Sequence, residues 1–304
     1  MPSYLELSKF STQSEASFRS LLSGFQKASS VVDLKGWGLP VADTIFVWSW
    51  GPDSSVAIAS FAGHHHATHL LLRHDKRAED VRAPRGGYLV ALDQIPQETS
   101  NFIRRGRLVM WLEPLSPYHD LYSINALFNR PQNELILEVV GPGFDASDLN
   151  RGDISPHESF VFDLAHVLQK EGASQPLDHA TVAPADYQRS VQKRCIKIGL
   201  RSMGFFSLDG DQPLPEGIDL KAMQLGKHEV VSNRYRLASS LHRYEPLPAR
   251  LLEVYLQNIP RFSRLTDKLA VVSSSFVAEE RLIYWDIVRP ALKYSLKSEG
   301  SSSS

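Results

Sequence analysis

The segment Arg82-Ala83-Pro84-Arg85-Gly86-Gly87 sets two adjacent glycines behind two arginines. Lacking a Cβ, Gly86 and Gly87 let backbone N–H groups approach an anion closely, and Arg85 beside them adds charge with several donors. That is phosphate-binding chemistry. The same glycines also suit a hairpin turn at positive φ, the commoner use of a lone Gly-Gly. A second concentration runs from Glu138 to Glu158, where acids, Arg151 and His157 crowd a turn-rich stretch directly after a strand-like run. Asp148, Asn150 and Glu158 invite comparison with a calcium loop, but Gly152 and Asp153 stand in the wrong order for one. Two readings of Arg151 remain open: it pairs with Asp145 and Asp148 inside the loop, or it faces a phosphate or an acceptor group at a cleft mouth. His64-His65-His66 with His69 and His74 has the residue types of a zinc or nickel site, yet strand alternation sends neighbours to opposite faces, so a solvated turn is expected. Cys195 sits among Lys193, Arg194 and Lys197 in a helical pattern, where a buried thiol is commoner than a nucleophile.

The elements that must position these residues follow from composition and patterning. With 304 residues, 42% apolar and 22% charged, the chain can bury a large core as one big domain or two lobes. A net charge of -1 gives no global attraction to nucleic acid or anionic membrane. A single cysteine fits a reducing cytoplasm, and the first ten residues lack the basic cap and apolar run of a secretory signal. No run of 18 apolar residues occurs, so no transmembrane helix is expected. The motifs G-x-S-x-G, C-x-x-C, G-x-G-x-x-G and the Walker phosphate loop are all absent. The basic residues Lys193, Arg194, Lys197, Arg201, Arg234, Arg236 and Arg243 read as solvated surface.

Periodicity predicts a helix over 13–30, then strands at 44–49, 56–60, 68–74, 87–92, 107–112, 121–128 and 134–140. Helices are predicted at 159–171, 184–204 and 249–258, with a surface connection at 173–188. A closing antiparallel hairpin is predicted from 269–277 and 281–288. Strands dominate the first half and helices return in the second, which predicts an α+β protein with antiparallel sheet. The final Ser-Glu-Gly-Ser-Ser-Ser-Ser reads as a disordered tail.

In linear order the first half resembles the nucleotide-binding core of ATP-grasp proteins, the superfamily of carboxylate-amine ligases. Gly38-Leu39-Pro40-Val41-Ala42-Asp43-Thr44 is similar to the entry into their small lobe. Leu70-Leu71-Leu72-Arg73 falls where the family has a phosphate-binding lysine at a strand end, and Arg82 to Gly87 where it has a glycine-rich loop. Leu108-Val109-Met110-Trp111-Leu112-Glu113-Pro114 resembles the adenine-binding hinge strand, and Asp120-Leu121-Tyr122-Ser123-Ile124-Asn125 the acidic element whose carboxylate binds ribose. In the final hairpin Asp286 stands where the family has a magnesium-binding glutamate. Val288 stands at the asparagine position, and the preceding strand, Leu269 to Phe276, offers serines in place of a carboxylate.

The resemblance implies a two-lobed fold with an N-terminal helical segment (1–35), a small nucleotide-binding lobe (36–112), a larger lobe (113–297) and a tail (298–304). It implies ATP and Mg2+ as cofactors. Arg73, Arg85, Gly86 and Gly87 would hold phosphates, Leu112 and Glu113 would lie at the hinge, Asp120 would bind ribose and Asp286 would hold metal. Apart from the resemblance, Arg151 is the candidate catalytic residue on the second reading of its loop, and the carboxylate acceptor is one that the sequence does not specify. The incomplete metal set leaves an alternative open: a non-catalytic domain that keeps the fold and serves a protein partner.

Overall fold

In a computed structural model of the chain, residues 3–11, 13–75, 88–115, 122–141, 156–169, 175–181, 246–277 and 280–288 are described. Strands β1 (Tyr4–Glu6), β2 (Thr44–Val47), β3 (His69–Asp75), β4 (Tyr88–Ala91) and β5 (Leu108–Leu112) form one sheet in the spatial order β1-β2-β5-β3-β4. Strands β6 (Tyr122–Asn129), β7 (Glu134–Val140), β8 (Glu158–Asp163), β9 (Asp178–Thr181), β10 (Leu269–Phe276) and β11 (Leu282–Val288) form a second, ordered β11-β10-β6-β7-β8-β9. Every strand pairing within the two sheets is antiparallel. The molecule is α+β, as the patterning predicts, and its two antiparallel sheets accord with the two-lobed architecture implied by the resemblance.

The helices are α1 (Glu15–Leu21), α2 (Gln26–Gly36), α3 (Pro52–His64), α4 (Ile95–Ile103), α5 (Leu164–Gln169) and α6 (Ala249–Leu256). Several sequence expectations are corrected here. Residues 56–60 alternate like a strand but lie inside α3. Pro52 suits its first turn, the Gly51 N–H donates to Ser54 Oγ at 2.9 Å, and Ala57, Ile58 and Ala62 share its buried stripe. The helix predicted over 159–171 divides at Asp163. Phe160 and Phe162 are buried on alternate positions of β8, and Asp163 then accepts the His166 N–H at 2.8 Å to start α5. The helix predicted over 13–30 is two helices meeting at Gly24, whose φ of +87° breaks the run. Within the connection expected at 173–188, β9 adds a strand, and β1 and α4 are further elements that patterning did not predict. The predicted helix 184–204, with Cys195 and the basic residues named above, lies outside the described residues.

Each face of the five-stranded sheet is covered, which is why its strands read as nearly continuous apolar runs. Ile45, Val47, Leu70, Leu72, Val109 and Trp111 pack with Ile58 and Ala62 of α3 and Ile95 and Phe102 of α4. On the opposite face Phe46, Leu71, Met110 and Leu112 join a larger core with Val31 and Leu34 of α2. That same core continues into Ile283, Tyr284 and Ile287 of β11, and into Leu251 and Tyr255 of α6 behind the second sheet.

Candidate functional site

Strand β11 is the edge of the six-stranded sheet, and an uncovered edge leaves backbone groups unpaired. Here residues of the first half of the chain cover it. The Tyr284 N–H donates to the Pro40 carbonyl at 2.9 Å, Val41 bridges Tyr284 in parallel, and Ser30 Oγ donates to the Ile287 carbonyl at 3.3 Å. Two of the ion pairs among the described residues lie along this seam, and each involves a residue singled out in the sequence.

At one end, Glu113 follows the last residue of β5 and is 7% exposed. Its carboxylate accepts two bonds from Arg281, at 2.8 and 2.6 Å, and one from the Asp43 N–H at 3.0 Å. Burial works to raise the Glu113 pKa, but the Arg281 bonds and the Asp43 N–H outweigh it and hold the carboxyl below its ordinary value. The Glu113 N–H in turn donates to the Asp43 carbonyl at 3.0 Å. Leu112, 2% exposed, lies between Thr44 of β2 and Leu71 of β3.

At the other end, Arg73 of β3 reaches Asp286 of β11 at 2.9 Å, with side chains only 12% and 13% exposed. Arg73 Nη1 also donates to the Trp285 carbonyl at 3.2 Å, and the guanidinium lies over the Trp285 ring, 5.7 Å from its centroid. A bulge makes this geometry. Ser273 pairs with Asp286 but Ser274 pairs with Tyr284, so Trp285 is an extra residue in β11. Tyr284 and Ile287 point into the core, and the bulge turns Trp285 and Asp286 together onto the face that meets Arg73.

That face of the sheet carries a row of polar residues between apolar ones such as Ile283 and Val271. Alternation along β10 and β6 sends Val272, Phe276, Ile124 and Phe128 into the core and Ser273, Ser275, Ser123 and Asn125 to the other side. Trp285 Nε1 donates to Ser275 Oγ at 2.9 Å, Ser275 and Ser123 hydroxyls share a 2.9 Å bond, and Ser273 Oγ donates to Asn125 Oδ1 at 3.1 Å. Glu138 on β7, opposite Asn125, extends the row, and burial raises its pKa. The arrangement supplies one fixed guanidinium, two carboxylates, Asp286 and Glu138, at the two ends of the row, and a bed of buried hydroxyl and amide groups between them. It suits a polar, anionic ligand laid against the six-stranded sheet.

The structure thus brings Arg73 and Asp286 together across 213 positions of sequence, and sets Leu112 and Glu113 at the other end of the same seam. Arg85, Gly86, Gly87, Asp120 and Arg151 lie outside the described residues. Arg281, Trp285 and the row of Ser123, Asn125, Ser273 and Ser275 were not singled out as site residues. The runs of serine in β10 were their one visible signal. The histidine run does not converge. His64 ends α3, His65 stands 3.7 Å from Asp43, and His74 stacks on Phe102 on the far side of β3. Among the described residues no group of three or more His, Cys, Asp or Glu is placed to hold a metal ion.

These features define an α+β protein of two antiparallel sheets with a charged seam beside a polar sheet face. No family model and no curated protein matches the chain. Among solved structures it is similar to D-alanyl-alanine synthetase A from Vibrio cholerae, at 11% identity and a TM-score of 0.38, over 88% of this chain and 55% of that one. It is also similar to D-cycloserine synthetase DcsG, at 11% identity and a TM-score of 0.36, over 88% and 62%. A third is the macrocyclase MdnC from Microcystis aeruginosa, solved with its precursor peptide MdnA, at 8% identity and a TM-score of 0.35, over 86% and 52%. The chain spans between 52% and 62% of the length of those chains, and the likenesses concern chain path alone. Among the described residues no helix is long and apolar enough to cross a membrane.

Proposed function

We propose that this protein binds a nucleotide in the manner of ATP-grasp proteins, with the phosphates at Arg73 and the base toward the Leu112–Glu113 end of the seam. The observation that carries the reading is the meeting of Arg73 with Asp286 over a polar sheet face, at positions that the sequence resemblance assigns to phosphate and metal. Arginine is suited to phosphate because its planar guanidinium presents five donors and keeps its charge. In this reading Arg85 and the amides of Gly86 and Gly87 complete the phosphate contacts, Asp120 binds the ribose, and Arg151 faces the acceptor. The chemistry implied for an active member is attack of a carboxylate on the γ-phosphorus of ATP with ADP leaving, followed by amine attack on the acyl phosphate, which expels inorganic phosphate as the amine loses a proton.

Magnesium is the test of that second part. Mg2+ is bound through one or two carboxylates with phosphate oxygens and water, in near-ideal octahedral geometry. Of the described residues, Asp286 is the carboxylate at this place, Ser273 stands opposite it, and Arg73 already holds it. The described donor set does not fit the ion. That observation favours the second reading, a non-catalytic nucleotide-binding domain that serves a protein partner, over the carboxylate-amine ligase.

A thermal-shift titration with ATP, ADP and GTP tests the nucleotide. A ligand at 100 times its Kd adds about 2.7 kcal/mol to native-state stability and raises Tm by several degrees. A flat response to all three removes the reading. ADP release in the presence of candidate carboxylates and amines would restore the ligase over the non-catalytic domain.

A further inference from the structure

We infer that the Arg73 guanidinium takes the place of a divalent cation at Asp286, so that the site takes a polyphosphate anion without metal. The inference deepens the nucleotide reading and rests on it for the location of the ligand. Three observations carry it, all independent of any nucleoside contact.

First, Arg73 and Asp286 are in direct contact at 2.9 Å with little of either side chain exposed. A metal ion on that carboxylate would have to displace the guanidinium and then sit beside its positive charge. Second, Arg73 is held from three sides, by the Asp286 carboxylate, the Trp285 carbonyl and the Trp285 ring. A side chain so fixed loses little freedom on binding, and the two hydrogen bonds to Trp285 and Asp286 leave part of its five-donor fork for phosphate oxygens. Third, among the described residues the oxygen atoms nearest Asp286 in register are neutral, and the next carboxylate in the row, Glu138, lies two strands beyond Ser273. Ser273 lies directly opposite it and Asn125 one strand further, and these two already bond to each other at 3.1 Å. Hydroxyls and an amide can donate to an anion whose charge is met by arginine, and they bring no negative charge to offset a dication placed beside that arginine.

The same geometry fixes the sign of a substitution that separates the two possibilities. Were Asp286 a metal ligand, Asp286→Asn would abolish binding. Beside an arginine-only site, Asp286 competes with the incoming phosphate for Arg73 and repels it, so Asp286→Asn strengthens binding, by about fivefold for the loss of one such charge contact. Arg73→Met should abolish binding. Because that variant leaves Asp286 unpaired, Arg73→Lys, which keeps the charge, is measured beside it, with circular dichroism confirming the fold of each.

The experiment is calorimetric titration of the full chain with inorganic tripolyphosphate and with ATP, each in EDTA and in excess Mg2+. Direct Mn2+ binding is followed in parallel by electron paramagnetic resonance. The expected result is binding in EDTA that Mg2+ does not improve, stronger binding to Asp286→Asn, and no Mn2+ uptake by the protein alone. Binding that requires Mg2+, or that Asp286→Asn abolishes, overturns the inference and leaves the nucleotide reading standing. Tripolyphosphate bound in EDTA with no added affinity for ATP upholds the inference and removes the nucleotide. Absence of binding by both ligands in both conditions overturns both.

Discussion

Glu113 is a nearly buried carboxylate whose charge depends on Arg281, while Arg281 itself remains half in water. The two truncations are therefore unequal. Arg281→Ala leaves a buried carboxylate with the Asp43 N–H as its remaining partner and should cost about 2 kcal/mol at neutral pH. Because the folded Glu113 pKa lies below its ordinary value, the pair's contribution is present above that value, near 4.5, and is lost as pH falls through the folded pKa. Urea unfolding of wild type and Arg281→Ala at pH 7 and pH 4 should show the difference shrinking in acid. An unchanged difference would assign the cost to lost packing instead. His74 acts in the same direction from another cause. Burial beside Phe102, with the positive charges of Lys27 and Arg107 next in weight, lowers its pKa from 6.5 to about 4. Arg107 can only donate, so the ring nitrogen 3.2 Å away accepts and the imidazole is neutral. Stability should fall as pH drops from 6.5 toward 4, by at most about 3 kcal/mol. His74→Phe should flatten that part of the pH profile. These residue-scale partners were not legible in the sequence, because Glu113 and Arg281 are 168 positions apart and nothing local marks either for the other.

Helix α2 shows how an element borrows its start from elsewhere. Its N-cap residue, Phe25, offers no side-chain acceptor, and the N–H groups of Lys27 and Ala28 donate to Asp75 at 2.6 and 3.0 Å. Asp75 ends β3, two residues beyond Arg73 and on the same face, and is 4% exposed. A carboxylate there accepts from two N–H groups of the first turn and meets the positive end of the helix. Asp75→Ala should therefore cost about 2 kcal/mol, at the upper end for a lost cap. Hydrogen exchange should speed most at Lys27 and Ala28. If the cost falls elsewhere in the chain and those two amides stay protected, Asp75 does not start the helix. Since α2 packs against β11 and Ser30 bonds the Ile287 carbonyl, the cap also steadies the strand that carries Asp286. The bulge at Trp285 belongs to this scale too. Simple alternation from the buried Tyr284 would turn Asp286 into the core, and only the inserted residue reverses it. A sequence read by alternation can find the hairpin but has no means to place Asp286, the one carboxylate of its two strands.

The larger core runs from Phe18 and Val31 through Met110 and Leu112 to Tyr284, Phe262 and Tyr255 without a gap between the two sheets. A shared core of this kind should unfold as one cooperative unit. Scanning calorimetry should give one transition whose calorimetric and van't Hoff enthalpies agree, and two resolved transitions would show that the sheets are separable. At this scale the apolar pattern was enough to predict much of the outcome. Strands β2, β3, β5, β6, β7, β10 and β11, helix α6 and the α+β class with antiparallel sheet follow from runs such as Leu70-Leu71-Leu72 and Leu108 to Leu112, because burial on two faces leaves an unbroken apolar signature. Residues 56–60 and 159–171 misled because a few apolar positions fit either period, and the bond of Ser54 to the N-cap Gly51 and the cap at Asp163 decided between them. Residue types and local spacing determined which segments fold and marked Arg73 and Asp286 as candidates. Tertiary structure alone decided that Arg73 and Asp286 neutralise each other, that Glu113 is held by Arg281 and that the serines line one face. Those outcomes depend on strand register, a bulge and contacts across more than a hundred residues, and none of them leaves a periodic trace in the chain.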